Sequence, residues 1–184
     1  MLRSGEPQNM RADGFTLLEM LVVMFVIAIL AGLAGLNMEH SDRSLDIESE
    51  RLLGITQLAA EEAVLRNRQL GLRVYRRPGL DQLSYAYLWI IWDGRQWSPF
   101  NEEPYGVYQL REGLELAVEV DEIELALPNQ ASEENGTVLP QLRFLSSGET
   151  DQFRIRLRDL NSGVERRINS DSLGAIEFEL DDAA

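Results

Sequence analysis

The sequence has no cysteine and no lysine, and it contains one histidine, His40. The absence of cysteine rules out disulfides, thiolate zinc sites and cysteine nucleophiles, and fits either redox compartment. His40 follows an apolar run and reads as an interfacial residue. That leaves no His-dependent triad and no two-histidine metal site. All 17 basic residues are arginine, set against 31 Asp and Glu, for a net charge of −14. So acidic a chain argues against nucleic acid and against anionic lipid surfaces as partners. Proline is missing between Pro7 and Pro78, so nothing breaks a helix there. With 184 residues and 45% hydrophobic content, there is material for one globular domain plus a membrane helix.

The apolar run is the dominant feature. From Phe15 to Leu36 the only ionisable side chain is Glu19. A helix of that length spans roughly 33 Å, enough for a bilayer core of about 30 Å. A carboxylate in lipid costs a few kcal/mol unless partnered, so it marks function. Glu19 lies in the first turn of the span, where it could also snorkel to water and complement the helix dipole. A secretory signal peptide is the competing reading. The run is too long for one, and no small-x-small cleavage site ends it.

The motif Gly14-Phe15-Thr16-Leu17-Leu18-Glu19, followed by an unbroken apolar helix, resembles the processing site of type IV pilins and type II secretion pseudopilins. The resemblance implies that a prepilin peptidase cuts after Gly14 and that Phe15, the new N-terminus, is methylated. It also implies that Glu19 meets a neighbouring subunit's N-terminal amine as helices bundle. A residue without a side chain fits a protease site closely, which accounts for the glycine. Asp13 stands where the family more often has a basic residue, and Glu6 lowers the leader's charge further. Arg3 and Arg11 precede the span while Arg43 and Arg51 follow it, so charge alone does not orient it.

Helical periodicity resumes from about Leu45. At about 100° per residue, Leu45, Leu52, Ile55, Ala59, Ala63 and Leu70 fall on one arc, flanked by Leu53, Ala60 and Val64. Glu50, Gln57, Glu61, Glu62 and Arg68 lie roughly opposite. Ile47, Leu58 and Leu65 form a second, narrow apolar stripe within that polar side. The wide arc is expected to hold the globular domain. The narrow stripe is a candidate contact with another subunit, or a set of scattered surface apolar residues. Within the span, Ala28 and Gly32, and Ala31 and Gly35, are small residues at the spacing that lets helices approach in lipid.

After Gly71 the pattern turns to strands. Tyr85 to Trp92 is rich in β-formers with both faces apolar, and Asp93-Gly94 signals a hairpin. Tyr105 to Leu110 and Leu114 to Val120, joined by Glu112-Gly113, predict another hairpin, and Ile123 to Leu127 a short strand. Pro128 to Thr137 reads as an exposed loop. The acidic cluster from Glu112 to Glu134 lacks the spacing and central glycine of a calcium loop and reads as a solvated face. Leu142 and Phe144 predict a strand, followed by a turn at Ser146-Ser147-Gly148-Glu149. Phe153, Ile155 and Leu157 alternate with Arg154, Arg156 and Arg158; Asn161-Ser162-Gly163 turns the chain, and Val164 to Ile168 pairs back. Ile176, Phe178 and Leu180 alternate with Glu177, Glu179 and Asp181. Opposite charge would favour adjacency of the arginine row and this acidic row.

Phe144-Leu145-Ser146-Ser147-Gly148 followed by Phe153-Arg154-Ile155-Arg156-Leu157 resembles the C-terminal region of the H-type minor pseudopilins of type II secretion, which often have proline at the place of Ser146. The expected architecture is α+β: a leader over 1–14, a transmembrane helix over 15–38, its amphipathic continuation over 39–70, and an antiparallel sheet domain over 71–184. The resemblance implies a non-enzymatic, single-pass inner-membrane protein with its sheet domain in the periplasm and no cofactor or metal. The implied role is to help initiate or extend a short filament near its tip, for export of folded proteins across the outer membrane. Implied partners are the other minor pseudopilins, the major pseudopilin, the prepilin peptidase, the inner-membrane assembly platform and the lipid bilayer. A minor pilin priming type IV pili is the alternative. An anchored periplasmic enzyme would need convergent polar residues; Ser146, Ser147, Glu149 and Asp151 come nearest, and a turn explains them better.

Overall fold

The computed structural model describes residues 17–78, 83–131, 138–171 and 174–179, with the side chains of 31–42 and 83 outside the description. The leader, Gly14 and Phe15 therefore lie outside the described residues, as do His40's side chain, Glu133, Glu134 and Asp181. The chain divides into two compact units, Met1–Asn37 and Met38–Ala184.

Helix α1 runs Leu17–Leu65. It stops short of the expected residue 70 because Asn67 adopts a left-handed φ of 50°. The Arg68 N–H then reaches back to the Ala63 carbonyl at 2.9 Å and the Asn67 N–H to Val64 at 3.3 Å. These bonds cap the last carbonyls and turn the chain out of the helix. Leu70 thus opens the first strand, β1 (Leu70–Pro78), rather than closing the helix.

The chain continues through β2 (Leu83–Trp92), β3 (Trp97–Pro99) and β4 (Val107–Gln109), then β5 (Leu114–Val120) and β6 (Ile123–Glu124). It ends with β7 (Leu142–Phe144), β8 (Phe153–Asp159), β9 (Glu165–Ser170) and β10 (Ile176–Phe178). One sheet has the order β3-β2-β1-β7, with β4 also on β2; the other runs β10-β9-β8-β5-β6. Among the described residues, these strand pairings are all antiparallel.

In the first sheet Leu72 lies opposite Trp89 and Val74 opposite Tyr87. Leu70, Leu72, Val74, Tyr85, Tyr87 and Trp89 point into one core with Leu45, Leu52, Ile55, Ala59 and Ala63 of α1. The second sheet adds Leu116, Val118, Ile155, Leu157 and Ile168 to the same core. Tyr75, Ala86, Leu88 and Ile90 face the other way and are covered by Val138, Ala131 and Trp97. The two-sided burial expected for Tyr85 to Trp92 forms from Tyr85 to Ile90, while Ile91 and Trp92 at the strand end are half-buried. Leu53 and Ala60 are half-buried on the flank of the helix arc, whereas Val64 is exposed.

Two expected pairings do not form. Tyr105 to Leu110 and Leu114 to Val120 make no hairpin, since β4 pairs with β2 and β5 with β8. The chain crosses from one sheet to the other at 110–113, so Gly113 (φ 86°) turns a crossover. Nor does the β8 arginine row lie beside β10, because β9 separates them. Glu119 sits directly opposite Arg154, with an ion pair of 3.0 Å, and Glu124 meets Arg156 at 3.2 Å. The acidic residues of β5 and β6 thus meet the arginines, and among the described residues of the expected acidic row Glu179, just past β10, reaches Arg154 at 3.3 Å. The expected turns do form. The Asp93 carboxylate accepts the Arg95 and Gln96 N–H groups, and Asp159 accepts those of Asn161 and Ser162.

Where β7 ends, the Gln141 side chain takes over as a substitute strand partner. Its carbonyl accepts the Val74 N–H and its amide donates to the Val74 carbonyl, both at 2.8 Å. The approach is close enough that a Cβ on Gly71 would lie 2.7 Å from the Pro140 Cβ. Pro140 is a rigid ring and cannot swing aside. Gly71→Ala should therefore cost about 1–3 kcal/mol of stability, read as a lower denaturation midpoint of the full chain in detergent; an unchanged midpoint would refute the close contact.

Candidate functional site

Among the described residues, the first unit offers an apolar helix. Every described side chain from Leu17 to Leu30 is exposed, including Phe25 and Ile27, and Glu19 is the one acid of the first turn. Of the expected 15–38 span, these are the side chains described. Among the described residues, no helix is long and apolar enough to cross a membrane. An apolar surface on all sides of a helix requires lipid or other helices around it.

The second unit presents α1 with two unlike faces. Leu45, Leu52, Ile55, Ala59 and Ala63 are buried, while Ile47, Leu58 and Leu65 are 57%, 39% and 82% exposed. The wide arc is core and the narrow stripe lies on the surface. Polar contacts fix the helix rotation that produces this division. Arg166 pairs with Asp46 at 2.9 Å, and Gln57 donates to the Ile176 carbonyl at 2.8 Å.

A third feature was not foreseen in the sequence. The Tyr108 hydroxyl donates to Glu48 at 2.8 Å and the Tyr105 hydroxyl to Glu62 at 3.2 Å. The Arg51 guanidinium lies 4.0 Å over the Tyr108 ring. The available signal was Glu48 and Glu62 at two-heptad spacing on one helix side, matched by tyrosines in 105–108. Arg51, Tyr105 and Tyr108 border a cavity of about 370 Å³, lined also by Tyr87 and Trp89. Burial pushes the Tyr87 phenol up to about 12, partly offset by Arg51 beside it. Burial raises Tyr105 and Tyr108 as well, with Glu62 and Glu48 adding to it. Across the neutral range these phenols remain donors.

Ser147 bonds Glu149 within its own turn, and Asp151 is held by Arg143 at 2.6 Å, so these residues shape the chain. Among the described residues no group of three or more His, Cys, Asp or Glu could hold a metal ion.

Substitutions on the two helix faces should separate. Leu52→Ala opens a cavity in the shared core and should cost about 2–5 kcal/mol. Leu58→Glu touches only the surface stripe and should stay within about 0.5 kcal/mol of wild type. Thermal melts of the full chain in detergent check both. If Leu58→Glu unfolds the domain, the stripe is core.

Comparison with known proteins bears on both units. The family profile described as "Type II transport protein GspH" matches residues 48–174. A profile described as "Prokaryotic N-terminal methylation motif" matches residues 9–35. "Type II secretion system protein H" of Pseudomonas aeruginosa is 40% identical over 156 residues, covering 82% of this chain and 86% of that protein. The protein of the same name from Aeromonas hydrophila is 25% identical over 181 residues, covering 94% and 96%. The solved structure of the minor pseudopilin EpsH from the Type 2 Secretion System of Vibrio cholerae shares the fold. It has a TM-score of 0.54 at 21% identity, covering 74% of this chain and 96% of that one.

Proposed function

The chain belongs to the GspH family of type II transport proteins, and we propose that it works as a minor pseudopilin. It helps initiate or extend a short filament near its tip, and so drives export of folded proteins across the outer membrane. The names of its relatives favour this over the priming of type IV pili. On this reading the leader over 1–14 is removed after Gly14 by the prepilin peptidase, and Phe15 becomes a methylated N-terminus. Residues 15–38 anchor the chain in the inner membrane, with the sheet domain in the periplasm. The observation that carries the reading is the exposed apolar helix from Leu17 to Leu30, with one carboxylate, Glu19, in its first turn.

The mechanism is association rather than bond chemistry. A new α-amine at Phe15 is a cation at the edge of lipid. A neighbour's Glu19 meets it as the helices bundle, and pairing two charges in hydrocarbon removes a cost of a few kcal/mol for each. Incoming subunits are thereby held at a fixed axial offset. Ile47, Leu58 and Leu65 form the periplasmic contact with other pseudopilins, above this membrane bundle.

Gly14→Ala should leave a precursor 14 residues heavier than the mature chain, detected by mass spectrometry of membrane extracts; normal processing refutes the assigned cut. Glu19→Ala should be processed and inserted normally, yet its recovery with sheared filaments should fall roughly tenfold, the effect of losing ~1.4 kcal/mol of pairing. Undiminished recovery would sink the charge pairing.

A further inference from the structure

The narrow stripe on α1 contains a residue that its own chain does not require. At about 100° per residue, Ile47, Gly54, Leu58 and Leu65 fall within about 40° of one line along the helix. Gly54 is exposed, and a Cβ built on it would meet nothing within 4 Å. Its φ is not positive, so neither crowding nor backbone conformation calls for glycine here. Gly71 differs, because the Pro140 Cβ stands 2.7 Å from the place of its own. Glycine is the poorest helix former after proline, so an unforced glycine inside α1 weakens the helix. What it provides is room, since glycine at a contact lets a second helix axis come close.

The flanks indicate what crosses there. Glu50 and Glu61 lie along one side of the stripe, both exposed, and among the described residues neither has an ion-pair partner. They stand three helical turns apart, roughly 16 Å. On the other side, Arg51 is already drawn over the Tyr108 ring. A second copy of this chain fits poorly. Crossing at Gly54, parallel copies would set Glu50 against Glu50, and antiparallel copies would set Glu61 against Ile47 and Glu50 against Leu58. A helix with basic side chains along one flank answers both acids, and its apolar side fills the space over Gly54.

We propose that Gly54 is the crossing point for a helix of another subunit, apolar toward Ile47, Leu58 and Leu65 and basic toward Glu50 and Glu61. This rests on the stripe being a contact between subunits, and adds to it the point of closest approach and the charge of the partner.

The test uses the full chain in cells that assemble the filament, with Leu58, one turn from Gly54, replaced by p-benzoylphenylalanine. Ultraviolet light should join it to a different protein, at a peptide with Lys or Arg within about four residues of the linked position. Gly54→Leu should cut the yield of that adduct about tenfold, and Glu50→Arg with Glu61→Arg should do the same. Purified in detergent, Gly54→Leu should melt about 2–4 °C above wild type, because leucine favours the helix. A lower midpoint would overturn the proposal by showing that the glycine serves the fold. So would an adduct with a second copy of this chain, one whose peptide lacks a basic residue, or one indifferent to Gly54→Leu or to the charge reversal. In each of those adducts the stripe still meets another subunit. Absence of any protein adduct would overturn that reading too.

Discussion

Everything in the second unit depends on one helix arc shared between two sheets. Leu45, Leu52, Ile55, Ala59 and Ala63 enter a core that takes Leu72, Tyr87 and Trp89 from one sheet and Leu116, Ile155 and Ile168 from the other. Neither sheet is large enough to bury an inner face alone, and short strands such as β3, β4 and β10 have little independent stability. The helix is the surface they have in common. Its alanines at 59 and 63 leave room for bulky partners on the sheet side, including Trp89 and Phe144, whose rings stand 5.5 Å apart. Because one arc serves both sheets, α1 cannot rotate without opening both, so the outward face is fixed as firmly as the inward one.

That rigidity gives the surface stripe its meaning. Ile47, Leu58 and Leu65 are held outward by the packing on the other side and by Asp46–Arg166 and Gln57–Ile176. The exposed ion pairs of β5, β6 and β8 contribute little to stability singly. They do satisfy the acidic outer row and leave that face wet, which directs apolar contacts to the helix.

The sequence was most legible where a single periodicity dominated. The helix arc, the doubly buried Tyr85 to Ile90 segment and the alternating Phe153 to Leu157 strand were all readable because burial follows directly from spacing. The helix end was missed by a few residues, since Leu70 keeps helical phase by coincidence and Asn67 is a less conspicuous stop signal than glycine. The false hairpin at Glu112-Gly113 shows a different limit: a turn sequence records that the chain bends, not which sheet receives it. The tyrosine–glutamate contacts and the cavity beside them join residues some 36 to 60 positions apart, such as Arg51, Tyr87 and Tyr108. No local pattern encodes such meetings, although matched glutamates and tyrosines hinted at them.

The substitute strand partner has a consequence for growth. Gln141 occupies the free part of β1, and Thr150 bridges Phe144 on β7, so this margin of the first sheet is sealed. The opposite margin, at β4, is open. A sheet with one sealed and one open margin cannot add copies of itself indefinitely in ribbon fashion, because no copy offers both halves of the joint. Growth through the edges of this first sheet is thereby limited to one edge-to-edge pairing at β4.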